Sequence, residues 1–336
     1  MIERTPLVSV IIPNYNYERS LRLCLAALAE QAYPRLEVIV VDDGSTDDSV
    51  AVAQSFGAKV VHTPVNMGCA GARNVGAEAA TGEVFFFLDS DVGLAPDAVL
   101  NAVTLLRSDE RIGAVCGIYD ADPLIDDGAV ERYRSLQLHY VQVACEGPIS
   151  GIYPAMMAMR AEVFATVGPF NAKLRHTEDA DYGARLGRDY ELRLTSAVRG
   201  RHDHDDKLKV LLSKVFTRSL LRVPLFAGGQ KLGKGPESPA RAAGSLAALG
   251  AVLTLPLPVL AGPLWTVVPA GLLLGSIAAD GAMYRFVARR RGLGFGLFFV
   301  GTNLVSNVAI AAGVLTGAAQ WVLSPRFRRI YDEAPA

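Results

Sequence analysis

The stretch Val84–Asp91, VFFFLDSD, constrains this chain more than any other. Apolar residues from Val84 to Leu88 run without interruption into Asp89-Ser90-Asp91. An unbroken apolar run of this length, closed by turn-forming residues, predicts a strand buried on both faces of a parallel sheet. In open α/β sheets, ligands bind beyond the carboxyl ends of the strands. Two carboxylates one residue apart at that end, with no Lys or Arg beside them, repel each other. A divalent cation keeps such a pair ionised most readily, and oxygen ligands suit Mg²⁺ or Mn²⁺. An Asp-x-Asp alone is common in solvated turns, so its meaning depends on the rest of the chain.

The preceding and following segments repeat one pattern. Val8–Ile12 predicts a strand, stopped by Pro13 and the turn residues Asn14-Tyr15-Asn16, and Ser20–Gln31 a helix through Leu21, Leu25 and Leu28. Leu36–Val41 predicts a second strand, followed by Asp42-Asp43-Gly44-Ser45-Thr46-Asp47, a loop with Thr46 or Asp47 as the N-cap of the next helix. Lys59–His62 is a third strand, Gly71–Ala80 a helix, Pro96–Arg107 a further helix and Ile112–Cys116 a strand after it. Strands and helices that alternate across short loops build a parallel sheet covered by helices, with right-handed crossovers. Polar residues then gather on one sheet edge: Pro13–Asn16, Asp42-Asp43, Asn66 and Asp89–Asp91. No Gly-x-Gly-x-x-Gly and no Gly-Lys-Ser/Thr is present, which excludes a dinucleotide fold and a P-loop NTPase.

Composition sets the frame. With 336 residues, two regions are expected. A net charge of −1 argues against a nucleic-acid partner. The cysteines, Cys24, Cys69, Cys116 and Cys145, are widely spaced and form no Cys-x-x-Cys, so neither a disulfide scaffold nor a zinc knuckle is expected. Met1–Leu7 holds no apolar leader core, so the first region is expected to stay in the cytoplasm.

Four of these segments together, Val8–Asn16 (VSVIIPNYN), Val40–Asp47 (VVDDGSTD), Asn66–Asn74 (NMGCAGARN) and Phe87–Asp91 (FLDSD), resemble in order and spacing the signatures of family 2 glycosyltransferases of the GT-A fold. The resemblance covers residues 1–205. It implies a nucleotide-diphosphate sugar donor, UDP- or GDP-linked, framed at its base by Pro13 and Tyr15. Asp43 matches the carboxylate that accepts a hydrogen bond from the base, with Asp42 beside it. Arg73 matches a basic residue near the donor, whose guanidinium suits phosphate oxygens. Asp89 and Ser90 fall in the donor site. Asp89 is also the first carboxylate of the metal motif, and Asp91 the metal ligand.

Further along, Ala129–Cys145 predicts a helix and Ala155–Met159 a strand. Val167-Gly-Pro-Phe170 resembles a turn of the family, with Pro169 where a second glycine is usual. Thr177-Glu178-Asp179-Ala180-Asp181 opens a helix to about Asp189 and resembles the family's acidic motif. By that resemblance Asp179 is the general base toward the acceptor hydroxyl, and Glu178 holds the acceptor or the loop. Helix-terminal N–H groups would keep the carboxylate ionised. His62 and His139 fit structural positions, and His176 precedes the acidic motif. Leu192–Ser196 predicts the last strand of this region. The histidines that follow it, His202 and His204, fall where such enzymes often supply one more metal ligand. His202 is favoured by its distance from Phe216 and Arg218, and His204 is the alternate.

The last third changes character. Lys207–Gln230 interleaves apolar and basic residues at helical spacing, as an interfacial helix does. Lys231–Pro239 reads as a linker. Ala242–Gly262, Leu264–Met283 and Phe295–Leu323 are each apolar enough to cross a bilayer, and the basic stretch Arg285–Arg291 should stay cytoplasmic. The division is thus a transferase domain over residues 1–205, interfacial helices and linker over 206–240, a membrane region of about three helices over 241–325 and a basic tail over 326–336. Three spans would put that tail outside, and an even number would return it to the cytoplasm. The composite expectation is an inverting, metal-dependent glycosyltransferase in a bacterial inner membrane. It would move one sugar to a lipid acceptor, a polyprenyl phosphate or a lipid-linked glycan, in cell-envelope glycan synthesis. A processive polysaccharide synthase is the alternative, as is a non-catalytic nucleotide-sugar-binding membrane subunit. The processive family's Gln-x-x-Arg-Trp motif is absent, since Gln320-Trp321 lies inside a predicted span.

Overall fold

The computed structural model describes residues 5–228 and 238–332. They divide into two units, one of residues 5–127 and 141–204, the other of 128–140, 205–228 and 238–332. Most of the expected linker, residues 231–237, and the end of the basic tail, residues 333–336, lie outside the described residues.

The first unit begins β1 (Val8–Asn14), α1 (Glu18–Ala29), β2 (Leu36–Asp42), α2 (Ser49–Ser55), β3 (Lys59–His62), α3 (Gly68–Ala79), β4 (Val84–Leu88), β5 (Val92–Leu94), α4 (Ala98–Ser108) and β6 (Ile112–Tyr119). After α5 (Ala129–Val143), which belongs in its first turns to the other unit, come β7 (Gly147–Ile149), β8 (Met156–Arg160), α6 (Ala161–Val167), α7 (Glu178–Leu186) and β9 (Glu191–His202). One sheet runs β3-β2-β1-β4-β8-β6-β9-β5, with β7 on β9. Every residue of β1, β4 and β6 is buried, as strands covered on both faces must be. β1 pairs in parallel with β2 and β4, and Asn14 lies level with Asp42. The polar residues that end these strands therefore share one edge.

The first four strands lie side by side in parallel, as their alternation with helices predicts. The fifth predicted strand, β6, does not follow β4. β8 intervenes, antiparallel to both. β9 is longer than its apolar core, Leu192–Ser196. It is parallel to β6, and a register shift between Gly117 and Ile118 skips residues 196–198. That bulge carries the strand on to His202, which pairs with Val92 of β5. The α2 boundary also differs: the helix starts at Ser49 with Asp48 in the cap position, and Asp47 Oδ1 accepts from Ser49 N at 3.1 Å.

The second unit is helical: α8 (Leu208–Ala227), α9 (Pro239–Thr254), α10 (Leu257–Ala261), a 3₁₀ turn (Pro263–Thr266), α11 (Val267–Ala279), α12 (Gly281–Leu323) and α13 (Pro325–Arg328). The predicted span Ala242–Gly262 is parted at Leu255-Pro256 into α9 and α10. Among the described residues, one helix is long and apolar enough by length and composition to cross a membrane, α12, and Pro263–Ala279 is a shorter apolar segment. Gly292, at φ 83° and ψ 167°, breaks α12. Nineteen residues of straight helix would separate Tyr284 from Asn303 by about 28 Å, yet Asn303 Nδ2 donates to Tyr284 Oη at 2.8 Å. The chain therefore folds back at Gly292, and the arms 281–291 and 293–323 form a hairpin. The second arm is about 46 Å long, more than the ~30 Å of a bilayer core. α8 lies close against that arm because Gly313 and Gly317 have no side chain. A Cβ at Gly317 would meet Leu220 O at 2.6 Å.

Inside this unit Asn303 is fully used. Its Oδ1 accepts from Tyr133 Oη at 3.0 Å and Gln137 Nε2 at 2.8 Å, and its Nδ2 also donates to Asp280 Oδ2 at 2.9 Å. Arg241 pairs with the other Asp280 oxygen at 3.0 Å. The unit exposes many large apolar side chains, among them Val259, Leu260, Leu264, Leu293, Leu297 and Leu323.

Candidate active site

All the predicted site residues belong to the first unit. The loop after β1 is fastened to the loop after β2. Asn14 Nδ2 and Asn16 N both donate to Ser45 Oγ, at 3.2 and 3.0 Å, and Thr46 N donates to Asn16 Oδ1 at 2.7 Å. Asn16 tolerates φ 58°, the left-handed region that its short polar side chain suits. This tight loop keeps Pro13 buried and turns the Tyr15 ring outward.

Asp42 and Asp43 are both buried and both engaged. Asp42 accepts from Ser45 N at 3.2 Å through Oδ1 and meets His62 Nδ1 at 3.2 Å through Oδ2. Asp43 binds the entry to α3: its Oδ1 accepts from Met67 N at 2.8 Å and Thr63 Oγ1 at 2.7 Å, its Oδ2 from Gly68 N at 2.7 Å. Asp43 thus orders the Asn66–Gly68 segment by capping a helix three elements downstream.

Arg73, on α3, is the centre of the site. Its side chain is 2% exposed. Nη2 donates to Asp89 Oδ1 at 2.7 Å, and Nη1 to Glu178 Oε1 at 3.2 Å. One guanidinium therefore joins the carboxyl end of β4 to the first residue of α7, a link between residues 89 positions apart in sequence. The Phe170 ring lies 5.6 Å from its Cζ. Burial pushes the Glu178 carboxyl above its usual range, the Arg73 charge opposes this, and the neighbouring Asp179 charge adds to it. Asp179 follows on the first turn of α7 and accepts from Ala180 N at 2.8 Å.

Asp91 and His202 face each other, Oδ1 to Nε2, at 3.6 Å. That distance is long for a hydrogen bond. It fits two ligands of one cation, since ligands about 2.1 Å from an ion at right angles lie about 3 Å apart and spread further as the angle opens. His204 stacks on His202, ring centroids 4.0 Å apart, and Tyr119 meets both rings edge-on at 4.8 and 5.5 Å. Asp203 N donates to Asp91 O at 2.8 Å, and Ser20 Oγ to the Asp203 carboxylate, so the histidine loop is fastened to the β4 end. Ser90 is buried, and Asp89 is held by Arg73. Asp91 and His202 together offer a cation one carboxylate oxygen and one imidazole nitrogen. A hollow of about 1000 Å³ lies elsewhere, around Glu83, Arg107 and Arg160 at the opposite end of β4.

Three contributors are not apparent from motifs alone. Asn74 clamps Phe170 in both directions, Nδ2 to O at 2.8 Å and N to Oδ1 at 2.9 Å. Arg175 bonds Asn66 through Oδ1 at 3.2 Å and O at 3.1 Å. Arg185 on α7 donates to Val167 O and Pro169 O, at 2.9 and 2.8 Å, and pins the turn that contains Pro169. Each requires a partner roughly 16 to 109 residues away, which only the fold discloses.

A largely parallel sheet with acidic and basic groups gathered at its strand ends is an α/β arrangement suited to binding a nucleotide. Residues 9–168, a little under half of the chain, match the family model described as glycosyl transferase family 2, so this stretch is a domain of that family. The matched stretch contains Pro13, Tyr15, Asp42, Asp43, Arg73 and Asp89–Asp91, and ends before Glu178, Asp179 and His202. The putative glycosyltransferase EpsH of Bacillus subtilis strain 168 is 31% identical over 193 residues, 54% of this chain and 56% of that protein. YibD of Escherichia coli K12, an uncharacterized glycosyltransferase, is 36% identical over 120 residues, 34% of this chain and 35% of that protein. The chain thus spans between a third and little more than half of these curated relatives. Among solved structures, the mannosyltransferase PcManGT from Pyrobaculum calidifontis, in complex with GDP-Man and Mn²⁺, aligns over 93% of this chain and 88% of that one, with a TM-score of 0.59 and 20% identity. At that identity the likeness is one of fold.

Proposed function

We propose that this protein is a membrane-anchored, inverting glycosyltransferase that moves one sugar from a UDP- or GDP-linked donor to a lipid acceptor, a polyprenyl phosphate or a lipid-linked glycan, in cell-envelope glycan synthesis. The observation that carries this reading is the Arg73 link, which gathers Asp89 and Glu178-Asp179 at the edge where Asp91 faces His202. The exposed apolar side chains and the arm 293–323 support the anchor, with the transferase domain over residues 1–205 on the cytoplasmic side of a bacterial inner membrane and the helical region after it.

Each group then has a task. Tyr15, turned outward beside buried Pro13, presents a ring to the nucleotide base, and Asp43 shapes the loop that flanks it. Asp89, Asp91 and His202 would hold the Mg²⁺ or Mn²⁺, which when bound supplies Lewis-acid stabilisation to the departing nucleoside diphosphate. Asp179, on the first turn of α7, takes the acceptor hydroxyl proton as the oxygen attacks the anomeric carbon from the far side. Arg73 and Glu178 keep that base in register with the metal motif.

The test is transfer by purified protein in detergent or nanodiscs, over UDP- and GDP-sugars including GDP-mannose, with Mn²⁺ or Mg²⁺, with and without polyprenyl phosphate. Lipid-extractable sugar that appears only with polyprenyl phosphate is the expected result. Donor hydrolysis without lipid product would move the acceptor to a lipid-linked glycan. No metal-dependent turnover of any donor would overturn the reading.

A further inference from the structure

The first arm of α12 carries a cationic face. Ala282, Arg285, Phe286, Arg289 and Arg290 recur at helical spacing and line a shallow hollow of about 510 Å³. The three arginines are exposed. No Asp or Glu occurs between Gly281 and Leu323. The acid that immediately precedes the arm, Asp280, is already spent on Arg241 and Asn303. Among the described residues Arg285 and Arg289 enter no ion pair. The face is also built rather than loose: the Phe286 ring at its centre lies against Tyr140 at 5.4 Å and His139 at 6.1 Å, both from α5.

Like charges at helical spacing repel, so a face of this kind gains most from an anion whose oxygens match the guanidinium fork. Its position narrows the choice of anion. Two residues past Arg291 the second arm exposes apolar side chains, Leu293 at 79% and Leu297 at 75%. Cations that border an apolar surface meet the headgroup layer of a bilayer, where the anion is a lipid phosphate.

We propose that the Arg285–Arg289–Arg290 face seats the phosphate of an anionic bilayer phospholipid. Arg285 and Arg289 hold its oxygens, and Phe286 forms the floor of the seat. This proposal rests on the membrane-anchored reading above, and it specifies the lipid class and the residues that select it.

The full chain and R285Q/R289Q/R290Q are compared by native mass spectrometry from detergent, with phosphatidylglycerol and phosphatidylcholine of equal chain length, and by flotation with phosphatidylcholine vesicles. Both proteins are expected to float. Wild type should retain phosphatidylglycerol over phosphatidylcholine by at least about tenfold, given roughly fivefold for each arginine near an anionic surface. The triple variant should fall to near parity, and R285K/R289K, which keeps charge without the fork, should fall between. Flotation without lipid preference, or an equal preference in the triple variant, overturns this proposal and leaves the membrane reading standing. Failure of wild type to float overturns the membrane reading itself. If millimolar inorganic phosphate abolishes the preference, the face is a general phosphate site, and if polyprenyl phosphate displaces phosphatidylglycerol tenfold more strongly, it is an acceptor site. Either result overturns the phospholipid assignment.

Discussion

Arg73 and Asn303 are each the hub of a buried polar cluster, one in each unit, and they are built to opposite ends. Asn303 spends both amide atoms on Tyr133, Gln137, Asp280 and Tyr284, and Arg241 completes the Asp280 carboxylate. A satisfied network of this kind holds helices in one arrangement. Arg73 instead joins two carboxylates from different elements beside the edge proposed to hold the donor. Asp89 remains a quarter exposed, and Asp91 and His202 stand 3.6 Å apart. The first cluster holds helices together, and on the proposed function the second serves the reaction.

The sharpest way to break this contrast is to remove the base. Asp179→Asn is expected to lower transfer to a hydroxyl acceptor by about 10²–10⁴-fold with donor binding retained. An acceptor that arrives ionised, as a polyprenyl phosphate does, needs less from the base, so a small loss would identify that acceptor class.

Next comes the hub itself. Arg73→Lys keeps the charge but cannot span Asp89 and Glu178 together. Metal affinity and turnover should fall by about 10–100-fold, as for other groups that orient metal ligands. Titration of Mn²⁺ by electron paramagnetic resonance reads the first, and steady-state kinetics the second.

Asn303→Leu inverts the outcome. It strands Asp280, Tyr133 and Gln137 and should cost the second unit about 2 kcal/mol, seen as a lower melting temperature in detergent, with Mn²⁺ affinity unchanged. Wild-type melting together with weakened Mn²⁺ would dissolve the contrast.

The smallest effect is electrostatic. Burial holds the Glu178 carboxyl above its usual range. A folded-state pKa above the unfolded one means that the folded unit binds the proton more tightly. This group's stabilising share is thus fully present below the ordinary carboxylate range and is lost as pH rises through the raised value. Glu178→Gln is therefore expected to raise the melting temperature slightly at neutral pH, with the gain fading in acid, while turnover drops.

Much of the first unit is legible in the chain itself. β3 and β4 coincide with their apolar runs, and the strand-end carboxylates land on one edge because parallel pairing in register leaves them no other place. What escapes is long-range or irregular. β8 inserts antiparallel between β4 and β6, a pairing that local periodicity does not encode. β9 reaches His202 only by bypassing residues 196–198, and its outer half carries Arg199 and Arg201, so no apolar run marks it. The roles of Asp43 as cap of α3 and of Arg73 as a bridge depend on partners across the fold. In the second unit hydropathy discloses apolar segments but not the reversal at Gly292, because a single positive φ changes direction without changing composition.

The most direct test of the central claim, that the edge around Asp91 and His202 is the donor diphosphate site, is Mn²⁺-dependent binding of UDP and GDP to wild type and Asp91→Asn, measured beside donor turnover. The account predicts that Asp91→Asn loses metal-dependent nucleotide binding and turnover together, while its melting temperature stays near that of wild type. Metal-dependent nucleotide binding and turnover by Asp91→Asn at wild-type levels would contradict it.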